Sequence, residues 1–215
     1  MNSIRLTALG TLGAAAVLTL TGQAVPAQAA TAGNPPEVKI SEVVSTGTGC
    51  QKGKEPRVQL DSNGQRLTVE FPAFEAEAGQ VPNDDGSLVW VSKANRSCQT
   101  NIRLTYSEGW SFAVTEAGGS GYADIARDAN GRHIGAYHFA GTAETGGFYN
   151  VTGATRPGTY SYFDKVDTPS WSECGNTRAL NINSKLQVDA SKANRDSLST
   201  MTIGSTTASL EWKLC

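Results

Sequence analysis

Residues 180–188 read LNINSKLQV; Leu180, Ile182, Leu186 and Val188 keep one phase across Ser184, while Asn181 and Asn183 take the other. Successive side chains of an extended chain point to opposite faces, so this stretch predicts a strand with one face buried and one wet. The same alternation recurs in Leu67, Val69 and Phe71, in Ile102, Leu104 and Tyr106, in Trp110, Phe112 and Val114, and in Ala208, Leu210, Trp212 and Leu214. Weaker strands are expected at 38–44, 122–127, 133–139, 148–151 and 159–163. Turn formers separate them, among them Asp61-Ser62-Asn63-Gly64, Asp128-Ala129-Asn130-Gly131 and Arg156-Pro157-Gly158, where Gly supplies positive φ without a steric cost.

No window of eleven residues or more carries a helical apolar period; Phe74 to Ala78 and Ser191 to Leu198 are each expected to make at most one turn of helix. About ten short strands without helices to cover them predict an all-β fold, a two-sheet antiparallel β-sandwich of jelly-roll or immunoglobulin-like architecture. The polar stretch from Glu75 to Ser97 is expected to be a long connection across a surface or an end of the sandwich.

The chain has 215 residues, with 18 Lys plus Arg against 20 Asp plus Glu, 39% hydrophobic and 18% charged residues. That balance excludes a disordered chain and a bundle of membrane spans. A net charge of −2 argues against nucleic acid as a partner, because strong polyanion binding of that kind needs clustered Lys and Arg. Residues 1–29 read as a signal peptide: Arg5, an apolar stretch from Leu9 to Leu20, then Ala27-Gln28-Ala29 before Ala30. Thr11, Thr19, Thr21 and Gly22 break the stretch short of the ~20 apolar residues of a membrane span. The expected product is one secreted domain, residues 30–215, with no membrane anchor after cleavage.

Cys50, Cys98, Cys174 and Cys215 all fall in that domain, and an even number in an exported chain favours two disulfides. Three connectivities are open. Cys50–Cys98 with Cys174–Cys215 is favoured, because these pairs close separate loops and the second ties the last residue to the body of the domain. No C-x-x-C pair occurs, and His133 and His138, five apart on one predicted strand, face opposite ways, so no metal or cofactor is expected.

The residues point to no catalytic constellation, since G-x-S-x-G is absent. Asn181 and Asn183 are expected to share a strand face and offer two amides to sugar hydroxyls. Trp90 is a further candidate for ligand contact, among aromatic rings at Trp110, Tyr122, Tyr137, Tyr160 and Tyr162 that serve more simply as core. Asp84 and Asp85 sit in a polar turn that lacks the acids of an EF-hand loop. Glu75 with Glu77, or Asp84 with Asp85, are the close carboxylate pairs that a hydrolase or lyase would use. Asn95-Arg96-Ser97 and Asn150-Val151-Thr152 match the N-glycosylation pattern at Asn95 and Asn150.

Pro35-Pro36-Glu37-Val38-Lys39-Ile40 through Gly47-Thr48-Gly49-Cys50, Asn95-Arg96-Ser97-Cys98-Gln99, Gly121-Tyr122-Ala123-Asp124, Trp171-Ser172-Glu173-Cys174-Gly175, Leu180-Asn181-Ile182-Asn183 and Leu210-Glu211-Trp212-Lys213-Leu214-Cys215 resemble, in this order, the motifs of a secreted family catalogued as domain of unknown function 4360. One position departs from that pattern: Ser120 stands before Gly121, where an arginine is common. The resemblance implies an exported domain with paired cysteines, and it carries no catalytic residues with it. The expected function is therefore a non-catalytic extracellular module that binds a glycan or another extracellular protein. A secreted polysaccharide-acting hydrolase or lyase is the alternative, and an assembling coat protein is a third reading.

Overall fold

The computed structural model describes residues 36–142, 146–153, 157–175 and 178–215; the expected signal peptide, residues 1–29, lies outside them. Among the described residues there is no helix. The strands are β1 (Lys39–Thr46), β2 (Arg57–Leu60), β3 (Arg66–Pro82), β4 (Leu88–Val91), β5 (Lys93–Thr105), β6 (Trp110–Asp124), β7 (Asn130–Phe139), β8 (Gly146–Thr152), β9 (Gly158–Lys165), β10 (Leu180–Asp189) and β11 (Leu198–Leu214). They form a five-stranded sheet in the order β1-β5-β10-β7-β8 and a six-stranded sheet in the order β2-β3-β11-β6-β9, with β4 also on β3. Every pairing is antiparallel. From β5 onward the chain changes sheet at each connection except the β7–β8 hairpin, so the two sheets interleave in sequence.

The phase read in residues 180–188 is the phase of the core. Leu180, Ile182, Leu186 and Val188 are buried, together with Ile102 and Leu104 of β5 and, from the other sheet, Leu67, Val69, Met201, Ile203 and Leu210. Burying one such side chain contributes about 1.5–3 kcal/mol. Ser184, which interrupts the apolar row, meets Thr206 of β11 across the core, Oγ to Oγ1 at 3.0 Å. Each hydroxyl satisfies the other, which removes the cost of burying it alone.

Four expectations are corrected. The segment from Glu75 to Ser97 is strand for most of its length, because Phe74, Ala76 and Ala78 turn inward and alternate with Glu75 and Glu77. Alanine contributes little to an apolar count, so the period of two was masked, and the expected turn of helix at 74–78 is strand as well. Only Asn83 to Ser87 forms a turn there, between β3 and β4. Ser191 to Leu198 makes two hydrogen-bonded turns rather than a helix, led by Asp189 and Asn194 side chains that take backbone N–H groups two residues on. The strands are also longer than expected, since β3 and β11 each run 17 residues with a bulge where their register shifts between Ile203 and Ser205.

In β6 the expected outward residues Ser111 and Ala113 are buried too. Trp171 and Ser172 lie over them: Ala113 bridges Trp171, Ser111 Oγ donates to the Ser172 carbonyl at 2.6 Å, and the Phe112 N–H donates to Ser172 Oγ at 3.0 Å. The disulfide Cys174–Cys215 holds this cover against the end of β11, and Cys50–Cys98 fastens the loop after β1 onto β5. Both bridges are the favoured pairing. On β3 the outer edge is occupied by β2 at residues 67–70 and by β4 at 79–82, and among the described residues no strand covers 71–78.

Replacing Cys174 and Cys215 together by serine releases a loop of 41 residues and is expected to lower stability by about 2–4 kcal/mol. Urea unfolding of the oxidised double variant against wild type measures it, and an unchanged midpoint contradicts a structural role for the bridge.

Candidate functional site

The outer face of the five-stranded sheet is built by the polar phase of its three central strands. On β10 this phase is Asn181, Asn183, Lys185, Gln187 and Asp189. The register sets Asn181 between Asn101 of β5 and His138 of β7, and Gln187 between Asn95 of β5 and Arg132 of β7. Carboxamides therefore lie side by side across adjacent strands, where cross-strand neighbours are about 4.5–5.5 Å apart.

Hydrogen bonds order this row. Asn181 Oδ1 accepts from Gln99 Nε2 at 3.1 Å and from Asn101 Nδ2 at 2.9 Å. Gln187 Nε2 donates to Asn95 Oδ1 at 2.9 Å. Asn181 and Asn183 share the face as their parity requires, yet Asn181 is only 4% exposed. Its neighbours close over it, so Asn181 fixes the amides of Gln99 and Asn101 while those, with Asn183 half-buried beside them, meet solvent. At the end of the row Lys93 Nζ lies 2.8 Å from Asp189 Oδ2. Hydrogen bonds from Lys93 and Ser191 hold the Asp189 carboxyl down at about 2.

The remaining candidates sit elsewhere. Asp84, Asp85 and Trp90 belong to the β3–β4 hairpin, away from the amide row. Asp85 Oδ1 accepts the Ser87 N–H at 2.9 Å and the Ser87 hydroxyl at 2.6 Å, which closes the turn and lowers the Asp85 pKa. The Trp90 ring carries the Arg195 guanidinium 4.6 Å from its centroid. The other rings form no common platform. Tyr137 is core, Tyr160 and Tyr162 pack inward against His133, and Tyr122 is exposed on the opposite sheet. Asn95 is exposed on β5; the side chain of Asn150, on β8, lies outside the described residues.

Glu75 and Glu77 share the outward phase of β3 and line a cleft of about 400 Å³ with Arg96, Lys93, Val81 and Val91. Thr200 Oγ1 donates to Glu77 Oε1 at 3.3 Å. Partial burial, then the charge of Glu77 and a hydrogen bond to it, raise the Glu75 pKa. Among the described residues no three His, Cys, Asp or Glu side chains gather as metal ligands.

His133 and His138 face opposite sides of β7. His133 is fully buried, and Gly119 makes room for it, since a Cβ there would lie 2.4 Å from the ring Cε1. Tyr160 donates its hydroxyl hydrogen to the Thr202 carbonyl at 2.8 Å and lies 3.2 Å from His133 Nδ1. Nδ1–H is then the donor of that second contact, and Nε2, which has no partner, keeps its lone pair against the core. Burial lowers the His133 pKa to about 3.

The sheets and disulfides define an all-β, two-sheet sandwich protein. The chain belongs to the family described as Domain of unknown function (DUF4360), whose model matches residues 36–215. An "uncharacterized secreted protein" of Arthroderma benhamiae is 32% identical over 164 residues, which is 75% of this chain and 63% of that protein. The chain thus spans less than two thirds of that relative's length. The relative is secreted, and among the described residues no helix is long and apolar enough to cross a membrane. Among solved structures, the enzymatically active domain of bacteriophage CBA120 tailspike protein 4 overlays at TM-score 0.23 and 12% identity, covering 81% of this chain and 19% of that one. A family 11 carbohydrate-binding module from Clostridium thermocellum, bound to a mixed-linked tetrasaccharide, overlays at TM-score 0.20 and 10% identity, covering 77% and 95%. Overlays this loose carry no argument about function.

Because His133 stays neutral in the native state while an unfolded histidine titrates near 6.5, its contribution is whole above pH 6.5 and is lost as pH falls from 6.5 toward 3. In that window wild-type stability should fall about 1.4 kcal/mol per pH unit more steeply than that of His133→Gln. Urea midpoints at stepped pH measure the difference, and parallel curves contradict it.

Proposed function

We propose that this protein is a non-catalytic extracellular binding module, and that its ligand is a glycan held by the outer face of the five-stranded sheet. The observation that carries this reading is the ordered row of amides, Gln99, Asn101, Asn95 and Gln187, oriented by Asn181 and by one another, with Asn183 on the same face. Each carboxamide both donates and accepts, which matches the hydroxyls of a sugar ring. The amides stand on a hydrogen-bonded sheet and are already oriented, so less freedom is lost on binding. An extracellular protein as ligand would call for aromatic anchors at the centre of the patch, and the described side chains of this face offer only Val44 and Ile134 as large apolar groups.

A second reading rests on Glu75 and Glu77, a carboxylate pair in a cleft with the first held toward its protonated form. A hydrolase or lyase would draw its acid from here. A protonated Glu75 would share its proton with Glu77, which puts the carboxyls closer than the ~5–9.5 Å that separates those of a glycosidase, so this reading stands second.

Co-sedimentation with insoluble polysaccharides and cell walls, recording both protein depletion and soluble sugar, tests the two together. Depletion without sugar release is expected, and the Gln99→Ala/Asn101→Ala double variant should weaken it roughly tenfold through two lost hydrogen bonds. Release of sugar that disappears in Glu75→Gln or Glu77→Gln would transfer the function to the cleft.

A further inference from the structure

The amide row ends in a depression of about 340 Å³ lined by Lys93, Asn95, Asn130, Arg132, Gln187 and Asp189. Its charges are unequally committed. Lys93 is held by Asp189 at 2.8 Å, and that carboxyl stays ionised to low pH, so the two cancel. Arg132 stands across the strand from Gln187, is exposed, and among the described residues forms no ion pair. Lys185, exposed and also without an ion pair, sits two positions along β10 from Gln187, the diagonal neighbour of Arg132 at about 7–8 Å. The depression therefore carries uncompensated positive charge on a chain whose net charge is −2.

We propose that the glycan bound by this face is a uronic-acid polysaccharide, whose carboxylate is received by Arg132 with Lys185 as a second, outlying contact; this rests on the glycan-binding reading above. A guanidinium presents parallel N–H donors that fit a planar carboxylate in two bonds, a geometry a lone ammonium does not offer. The amides beside it complete the recognition. The Gln187–Asn95 bond uses one end of each amide, and Gln187 Oε1 and Asn95 Nδ2 remain as acceptor and donor for the hydroxyls flanking a sugar carboxylate. Lys93 is spent on Asp189, so charge is supplied at two points and not as a dense basic patch. That favours the spaced carboxylates of a uronate chain over a heavily sulfated polymer.

The test uses the oxidised protein and four polymers in affinity electrophoresis: polygalacturonate, alginate, carboxyl-reduced polygalacturonate and dextran sulfate. Polygalacturonate or alginate is expected to retard the protein. Reducing the carboxyls, or the substitution Arg132→Gln, should each weaken retardation at least tenfold, with a smaller loss for Lys185→Gln. Arg132 is exposed, so the variant should melt with wild type, and a thermal scan checks that its loss is one of contact. Equal retardation by native and carboxyl-reduced polymer, or by wild type and Arg132→Gln, overturns the inference while leaving a glycan ligand in place. Tighter binding to dextran sulfate that ignores Arg132→Gln overturns it too, in favour of charge density. Retardation by none of these polymers, together with failure to sediment with any neutral polysaccharide, removes the glycan reading itself.

Discussion

Everything on the outer face depends on the register of β10 between β5 and β7. The strand has a period of two, so a slip of one residue would carry Leu180, Ile182, Leu186 and Val188 to water and bring Asn181, Asn183, Lys185 and Gln187 into the core. Four apolar side chains lost from the interior, each worth about 1.5–3 kcal/mol, together with buried amides and a lysine, exceed the whole stability of a typical domain. The energy that selects the fold is thus the same energy that aligns the amide row. Ser184 is tolerated inside this row because Thr206 answers it from the facing sheet.

The second constraint acts where the sheets are incomplete. β1 pairs with β5 only over residues 99–105, and the first stretch of β5 is steadied instead by the loop fastened through Cys50–Cys98, with the Gly49 N–H donating to the Ser97 carbonyl at 2.9 Å. On the other sheet, Cys174–Cys215 presses a coil segment onto β6, which buries Ser111 and Ala113 from a side that alternation alone leaves wet. Each disulfide stands where a neighbouring strand is missing or ends.

Much of the fold was legible because parity is a local property. Leu180 and Ile182 against Asn181 and Asn183 already state which face is which, and loop closure favoured the cysteine pairing that the structure contains. The stretch from Glu75 to Ser97 was illegible because Ala76 and Ala78 carry too little apolar signal to mark a strand, and Gly118, Gly119 and Gly121 likewise hide the middle of β6. The site was legible only in part. Asn181 announced the face, but that Gln99, Asn101, Gln187 and Arg132 stand beside it depends on pairings between strands far apart in sequence. A polar residue in a strand looks the same in sequence whether it stands alone or in a row.

The uncovered stretch of β3 bears on how the molecules behave toward one another. An open strand edge invites pairing with a second chain. Two copies meeting antiparallel and centred on Ala76 would set each Glu75 opposite the other copy's Glu77, gathering four carboxylates on one face. Like charges directly opposite disfavour a pairing, so these glutamates act as a colloidal guard on the stretch of edge that no described strand covers. The guard depends on acidity: Glu75, with its pKa raised, gives up its charge more readily on acidification than an ordinary glutamate does, and the repulsion across that edge weakens with it.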